Sequence, residues 1–240
     1  MISDSGMNGI SNGNNTPGHI GFIMDGNRRW ARSQGFLTLE GHRRGYEKIK
    51  EVGGWCLKRG IKHVTVFAFS TENWKRSKEE VDYLMQLMHR ALTNELHEFD
   101  RRGIKLKIIG RRDDLPLDVR EAANRAEEHT ANNNEGTLYV ALNYGGRAEI
   151  VDAIKAMLIA KVEPLKIDES LVRQFLYAPE APDPDLIIRT SGEQRLSGFM
   201  LWPSAYSELY FISKHWPEFT EADFDSILTS YKNRQRRFGK

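Results

Sequence analysis

Short apolar runs alternate with longer amphipathic segments from end to end of this chain, and that alternation constrains its fold more than any other feature. The runs fall at 19–25, 63–70, 104–109, 137–143, 185–189 and 209–212. Several are nearly continuous in Val, Ile and Phe, as a parallel strand covered on both faces reads. Segments with a helical pattern lie between them, at 41–59, 78–101, 119–130, 147–160, 169–175 and 221–237. In 78–101, Val81, Leu84, Met88, Leu92 and Phe99 form an apolar stripe at spacings of three, four and seven. The alternation predicts an α/β protein with a single domain over 18–240, whose mainly parallel central sheet of about six strands is surrounded by helices. The Pro-rich segment 178–185 reads as a surface loop feeding the next strand, because the same alternation resumes after it.

Composition removes several function classes. The chain has 240 residues, and 35 Lys+Arg against 33 Asp+Glu leave a net charge of only +2. That balance argues against a general polyanion binder, and the 40% hydrophobic content argues against a disordered chain. A lone cysteine, Cys56, excludes an internal disulfide and a Cys-rich zinc site, and fits a reducing compartment. Runs such as 64–69 are far below the roughly 18 apolar residues of a membrane span. Residues 1–17, rich in Asn, Gly and Ser, are expected to form a flexible tail and lack the pattern of a secretory signal. The expected location is cytoplasmic, with a peripheral position at a membrane surface left open.

Polar chemistry gathers where the strands end. The first run leads into Asp25-Gly26-Asn27-Arg28-Arg29-Trp30, with Arg32, His42, Arg43 and Arg44 following. Gly26 and Asn27 suit a tight turn into a helix, with Asn27 as its cap. The arginines suit phosphate oxygens. An acid amid these cations is resolved by a Mg²⁺ ion bridging carboxylate and phosphates. The plainer alternative makes Asp25 a helix cap and the arginines a solvated face. The second run leads into Ser70-Thr71-Glu72-Asn73-Trp74-Lys75-Arg76, where Ser77 and Glu80 also have the spacing of a capping box. A third edge carries Arg189, Arg195, Leu196 and Ser197 on a loop permissive at Ser191, Gly192 and Gly198. Glu208 is a candidate second carboxylate for the metal, or a buried hydrogen-bonded acid.

Neither a Walker loop nor a G-x-G-x-x-G turn is present, and no protein nucleophile stands out. Two anion-binding edges with a metal carboxylate suggest transfer between two phosphorylated molecules. Trp74, Phe67, Met85 and Met88 would wall an apolar tunnel suited to an isoprenoid, or the methionines are core filler.

The stretches HIGFIMDGNRRWAR, FAFSTENWKR, NYGGR, DLIIRTSGEQRLS and the closing RRFG resemble the cis-prenyltransferases of the undecaprenyl diphosphate synthase type, over residues 18–239. The resemblance implies a Mg²⁺-dependent homodimer that condenses isopentenyl diphosphate with an allylic diphosphate, farnesyl or similar. The product would be a cis-polyprenyl diphosphate, undecaprenyl diphosphate or a related lipid-carrier precursor, released to the membrane. It separates the chain from the all-helical trans-prenyl synthases, whose DDxxD motif Asp113-Asp114 does not continue.

By that resemblance Asp25 and Asn73 are catalytic, with Asp25 holding metal and allylic diphosphate and Asn73 assisting proton removal. Gly26, Asn27, Arg28, Arg29, Trp30 and His42 would cradle the allylic diphosphate, and Ser70, Thr71, Glu72, Trp74 and Arg76 would line its side. Arg189, Arg195, Leu196 and Ser197 would hold isopentenyl diphosphate, Glu208 would be the second metal carboxylate, and Arg237 and Gly239 would reach the partner subunit's site. Thr38, Gln194, Gly198 and Pro203 depart from the pattern; Thr38 stands where a phosphate-binding arginine is frequent and Gln194 where a histidine is. Two rival readings are a non-catalytic subunit, opposed by the retained Asp25, Asn73, Arg189 and Arg195, and a nucleic-acid module, opposed by the charge balance.

Overall fold

The computed structural model describes residues 16–234. Most of the expected tail (1–15) and both Arg237 and Gly239 lie outside the described residues. Six strands alternate with helices: β1 (His19–Ile23), α1 (Asn27–Ser33), α2 (Thr38–Lys58), β2 (His63–Ser70), α3 (Lys78–Asn94), α4 (Leu96–Arg101) and β3 (Ile104–Ile109). Then come α5 (Leu117–His129), β4 (Gly136–Tyr144), α6 (Gly146–Ile159), α7 (Glu169–Gln174), β5 (Leu186–Arg189), β6 (Glu208–Phe211) and α8 (Glu221–Asn233). The strands form one all-parallel sheet in the order β3-β4-β2-β1-β5-β6. Flanking helices complete the expected α/β architecture.

Strand alternation sorts the core. Ile20 and Phe22 of β1 join Val64, Val66, Leu186 and Ile188 beneath α2 and α8, which contribute Val52, Cys56, Phe224 and Ile227. Further along that face, Leu84 of α3 and Val119 and Ala123 of α5 cover Leu106 and Ile108 of β3. Each such large side chain contributes roughly 1.5–3 kcal/mol when fully buried. On the other face, Ile23, Ala141 and Ile187 meet Phe199 and Met200, which belong to a loop rather than a helix. Gly21 makes that contact feasible: a Cβ there would lie 2.9 Å from the Phe199 ring.

Two elements differ from the sequence reading. The single helix expected over 78–101 is broken at Glu95 into α3 and α4. Near the break the Thr93 hydroxyl donates back to the His89 carbonyl at 2.8 Å, a bond that competes with the helical ladder. The expected box at α3 is half formed: Ser77 Oγ accepts from Glu80 N at 3.3 Å, while the Glu80 side chain goes elsewhere.

Candidate active site

All six strands point the same way, so their carboxyl ends meet at one edge, where open α/β sheets bind ligands. At the end of β1 the chain turns through Gly26, whose φ of +100° suits glycine. A Cβ at Gly26 would come within 2.6 Å of His215 Nδ1 and 2.9 Å of Ser191 Oγ. Gly26, not Asn27, is the N-cap of α1, and no side chain caps that helix. Asn27 is instead gripped by α2, since a Cβ at Gly45 would lie 2.5 Å from its Oδ1 and one at Gly41 would collide with its carbonyl.

Asp25 is the electrostatic centre of this edge. Its Oδ2 accepts from Arg189 Nη2 at 2.8 Å, and its Oδ1 accepts from Gly26 N at 2.7 Å and pairs with Arg29 at 3.1 Å. Burial opposes the Asp25 charge, but the Arg189 hydrogen bond and charge, with Arg29, prevail and hold the carboxyl below its ordinary value. Arg189 is buried and also donates to Ser197 Oγ at 2.8 Å and to the Arg195 carbonyl. One guanidinium thus joins the first and third edges. The Arg195 side chain pairs with Glu193, which also meets Arg29 at 3.3 Å. Leu196 faces the core beside Phe199.

A buried acid that sequence reasoning treated only as a cap organises the cations. Glu80 Oε1 accepts from His42 Nε2 at 3.0 Å and Arg76 Nη1 at 2.9 Å, and Arg28 approaches its Oε2 at 3.7 Å. Burial lowers the His42 pKa more than Glu80 raises it, so the ring is neutral at pH 7 and donates through Nε2. The i,i+4 spacing of Arg76 and Glu80 was the one legible sign of this cluster. Met24, Asp25, Gly26, Asn27, Arg28, Arg29, Arg32, His42 and Arg76 line an open cleft of about 420 Å³. Arg32 belongs to that lining. Trp30 does not; its ring packs 5.8 Å from Phe36.

After β2 the chain makes a 3-10 turn over Thr71–Lys75. Ser70 and Asn73 form a reciprocal cap, in which Asn73 Oδ1 accepts from Ser70 N at 3.1 Å. The amide oxygen is therefore occupied, and Asn73 offers its NH₂ end as a donor rather than a base. Thr71 rests on Gly145, Glu72 is exposed, and Trp74 Nε1 donates to Asn143 Oδ1 at 2.8 Å. Asn143, buried and unforeseen in the sequence, belongs to the NYGGR stretch.

Glu208 does not join Asp25. Register pairs Glu208 with Leu186 and Phe211 with Arg189, so the acid stands about 10 Å along the strand from the binding edge. Its Oε2 instead accepts from Arg234 at 2.5 Å. Among the described residues no three His, Cys, Asp or Glu side chains cluster as a metal site. The donor set at Asp25, one partly exposed carboxylate beside phosphate-binding arginines, does fit Mg²⁺, which is commonly held by one or two carboxylates plus substrate phosphates.

Below the cleft, α2, α3, α4 and the sheet enclose an apolar cavity of about 90 Å³. Its lining includes Ile49, Cys56, Val66, Ala68, Met88 and Leu138. Met88 is thus a cavity residue, whereas Met85 is buried in the core with Val81 and Leu84.

Known proteins resemble this chain over most of its length. A family model described as "Putative undecaprenyl diphosphate synthase" matches residues 23–239. An isoprenyl transferase of Thermotoga maritima is 48% identical over 225 residues, covering 93% of this chain and 97% of its own length. A tritrans,polycis-undecaprenyl-diphosphate synthase (geranylgeranyl-diphosphate specific) of Thermoplasma acidophilum is 48% identical, over 93% of this chain and 89% of its own length. Among solved structures, lavandulyl diphosphate synthase from Lavandula x intermedia, in complex with dimethylallyl diphosphate, superposes with a TM-score of 0.90 at 38% identity, covering 94% of this chain and 99% of its own. The extent and identity of these matches, joined to the Asp25–Arg189 edge, place the chain in the undecaprenyl diphosphate synthase family of cis-prenyltransferases.

Proposed function

We propose that this protein condenses isopentenyl diphosphate with an allylic diphosphate to extend a cis-polyprenyl diphosphate, a lipid-carrier precursor such as undecaprenyl diphosphate. The observation that carries the reading is the Asp25–Arg189 pair, which sets two anion-binding strand ends side by side. Arg28, Arg29, Arg32 and Arg76 receive the allylic diphosphate in the cleft, with the Asn73 NH₂ adding a neutral donor, while His42 donates its one N–H to Glu80 and so helps to place Arg28 and Arg76. Arg189, Arg195 and Ser197 receive isopentenyl diphosphate; to do so, Arg195 exchanges Glu193 for a phosphate. Mg²⁺, held at Asp25, supplies charge neutralisation for the departing diphosphate when bound. Arginines already in place stabilise the charge that develops on the leaving oxygens, commonly the largest catalytic contribution. The apolar cavity keeps water from the allylic centre; at about 90 Å³ it is smaller than a prenyl chain, so the helices around it would part to take the hydrocarbon.

A homodimer belongs to the same proposal. Val151, Ile154, Leu158 and Ile159 leave an exposed apolar stripe on α6, and Leu209 on the edge strand β6 is partly exposed. A monomer mass in sedimentation at micromolar concentration would overturn it. Arg237 and Gly239 are proposed to complete the partner's site. No helix among the described residues is long and apolar enough to cross a membrane, so product would pass to a membrane from the protein surface.

The test is incubation with labelled isopentenyl diphosphate, Mg²⁺ and, in parallel, dimethylallyl, farnesyl or geranylgeranyl diphosphate, with chromatography of the products. Wild type should elongate at least one primer. Asp25→Ala should lose turnover by roughly 10²–10³-fold while remaining folded by circular dichroism. Near-normal turnover in the folded variant, or no condensation by wild type, refutes the reading.

A further inference from the structure

Three neighbouring strand ends are knitted together by one side chain. β3, β4 and β2 are adjacent in the sheet, and Asn143 lies at the carboxyl end of β4, between the turn after β3 and the turn after β2. Its carboxamide is 2% exposed as a residue and has no freedom of orientation. Oδ1 accepts from Trp74 Nε1 at 2.8 Å, while Nδ2 donates to the Arg111 carbonyl at 2.8 Å and approaches Asp114 Oδ2 at 3.4 Å. Indole Nε1 can only donate and a carbonyl can only accept, so rotating the amide end for end would lose both bonds. The backbone adds a third link, since Arg111 N donates to the Asn143 carbonyl at 3.1 Å.

Few residue types satisfy this position. Asn143 has φ of +49°, a region that asparagine, aspartate and glycine enter most readily. Glycine would lack the amide. Aspartate would lack the donor and set a charge against the Arg111 carbonyl and Asp114. Two residues on, a Cβ at Gly145 would come within 2.7 Å of Thr71 Oγ1, so the turn carrying Asn73 and Trp74 rests directly on this stretch. Trp74 meets Phe69 edge-to-face at 5.0 Å, which fixes one side of its ring, but only Asn143 holds its nitrogen.

We propose that Asn143 is a positioning residue: by holding the Trp74 indole and supporting the turn beneath it, it fixes the Ser70–Arg76 segment that carries Arg76 into the cleft where the allylic diphosphate binds. The inference rests on the functional reading above for its substrate, and on geometry alone for the link to Trp74. It gives the NYGGR stretch a physical task, namely to carry the neighbouring Ser70–Arg76 turn.

Asn143→Gly removes the amide and keeps the backbone conformation, which makes it the decisive variant. Two measurements test it. In the first, subtracting the fluorescence spectrum of Trp74→Phe from that of wild type isolates Trp74. The corresponding difference between Asn143→Gly and Asn143→Gly/Trp74→Phe should be shifted to the red, because the indole, 37% exposed in the wild type, exchanges its bond to Asn143 for water. An unshifted spectrum in a folded variant overturns the link, and this readout needs no enzymatic activity. In the second, kcat/KM for the allylic diphosphate should fall about five- to tenfold in Asn143→Gly, the worth of one ordinary hydrogen bond, with KM for isopentenyl diphosphate within about twofold. The double variant should be no worse than the poorer single one. Losses that multiply, or that fall equally on both substrates, overturn the positioning role. Absence of any prenyl condensation by wild type defeats the functional reading instead, while the fluorescence still decides whether Asn143 holds Trp74.

Discussion

Single residues carried most of the legible chemistry. An acid in a run of arginines at the end of an apolar strand is unusual enough to be read directly, and Asp25 and Arg189 do meet, 164 residues apart in sequence. Glu80 escaped because a capping position explained it fully from sequence, whereas its contacts with His42 and Arg28 depend on how α2 and α1 pack on α3. Buried His19 was equally silent. Its Nδ1 donates to the Pro182 carbonyl at 2.6 Å, and in the neutral ring its Nε2 accepts from Thr65 Oγ1 at 2.8 Å. Burial is the main cause that takes its pKa from 6.5 down to about 4. The unfolded chain therefore takes up this proton near pH 6.5 while the folded protein resists it. His19's contribution is full above that pH and is lost as pH falls toward 4, by about 3 kcal/mol in all. Urea unfolding between pH 7 and 4 should show this loss and show less of it in His19→Gln. An equal pH slope in both proteins would contradict the assignment.

At the scale of elements, the parallel strands were legible because their apolar runs are continuous, and their register was not. Register decides the fate of Glu208: one end of β6 faces the binding edge and the acid is at the other. Helix contacts were also hidden. Gly41 and Gly45 look unfavourable inside α2, since glycine costs about 1 kcal/mol relative to alanine in a helix interior. Their use appears only when α1 is laid across them, with the Asn27 carbonyl against Gly41. Gly41→Ala should therefore destabilise the protein by about 1–3 kcal/mol, against the helix-propensity trend, because backbone must move to admit the methyl group. Denaturant unfolding measures it, and a midpoint at or above that of wild type would show that α1 yields without cost.

For the molecule as a whole, a net charge of +2 conceals a strong internal separation. Cations converge on the cleft, and several are already neutralised by Asp25, Glu80 and Glu193, so substrate diphosphates displace or share counter-ions that the chain provides. The hydrocarbon side of the molecule has a different property. Cys56 is 1% exposed, lines the apolar cavity, and has its thiol pushed up to about 12 by burial. A thiol so protonated and enclosed reacts only when α2 lifts from the sheet. With no other sulfhydryl in the chain, Cys56 is a clock for that motion. Its alkylation by iodoacetamide in the folded protein should run at least about a hundredfold slower than in urea, and slower again with a long-chain prenyl diphosphate bound. Labelling as fast as in the unfolded chain would mean that the cavity stands open. Otherwise the ticking of one sulfur atom reports, without any engineered probe, how often the protein breathes and when a lipid stills it.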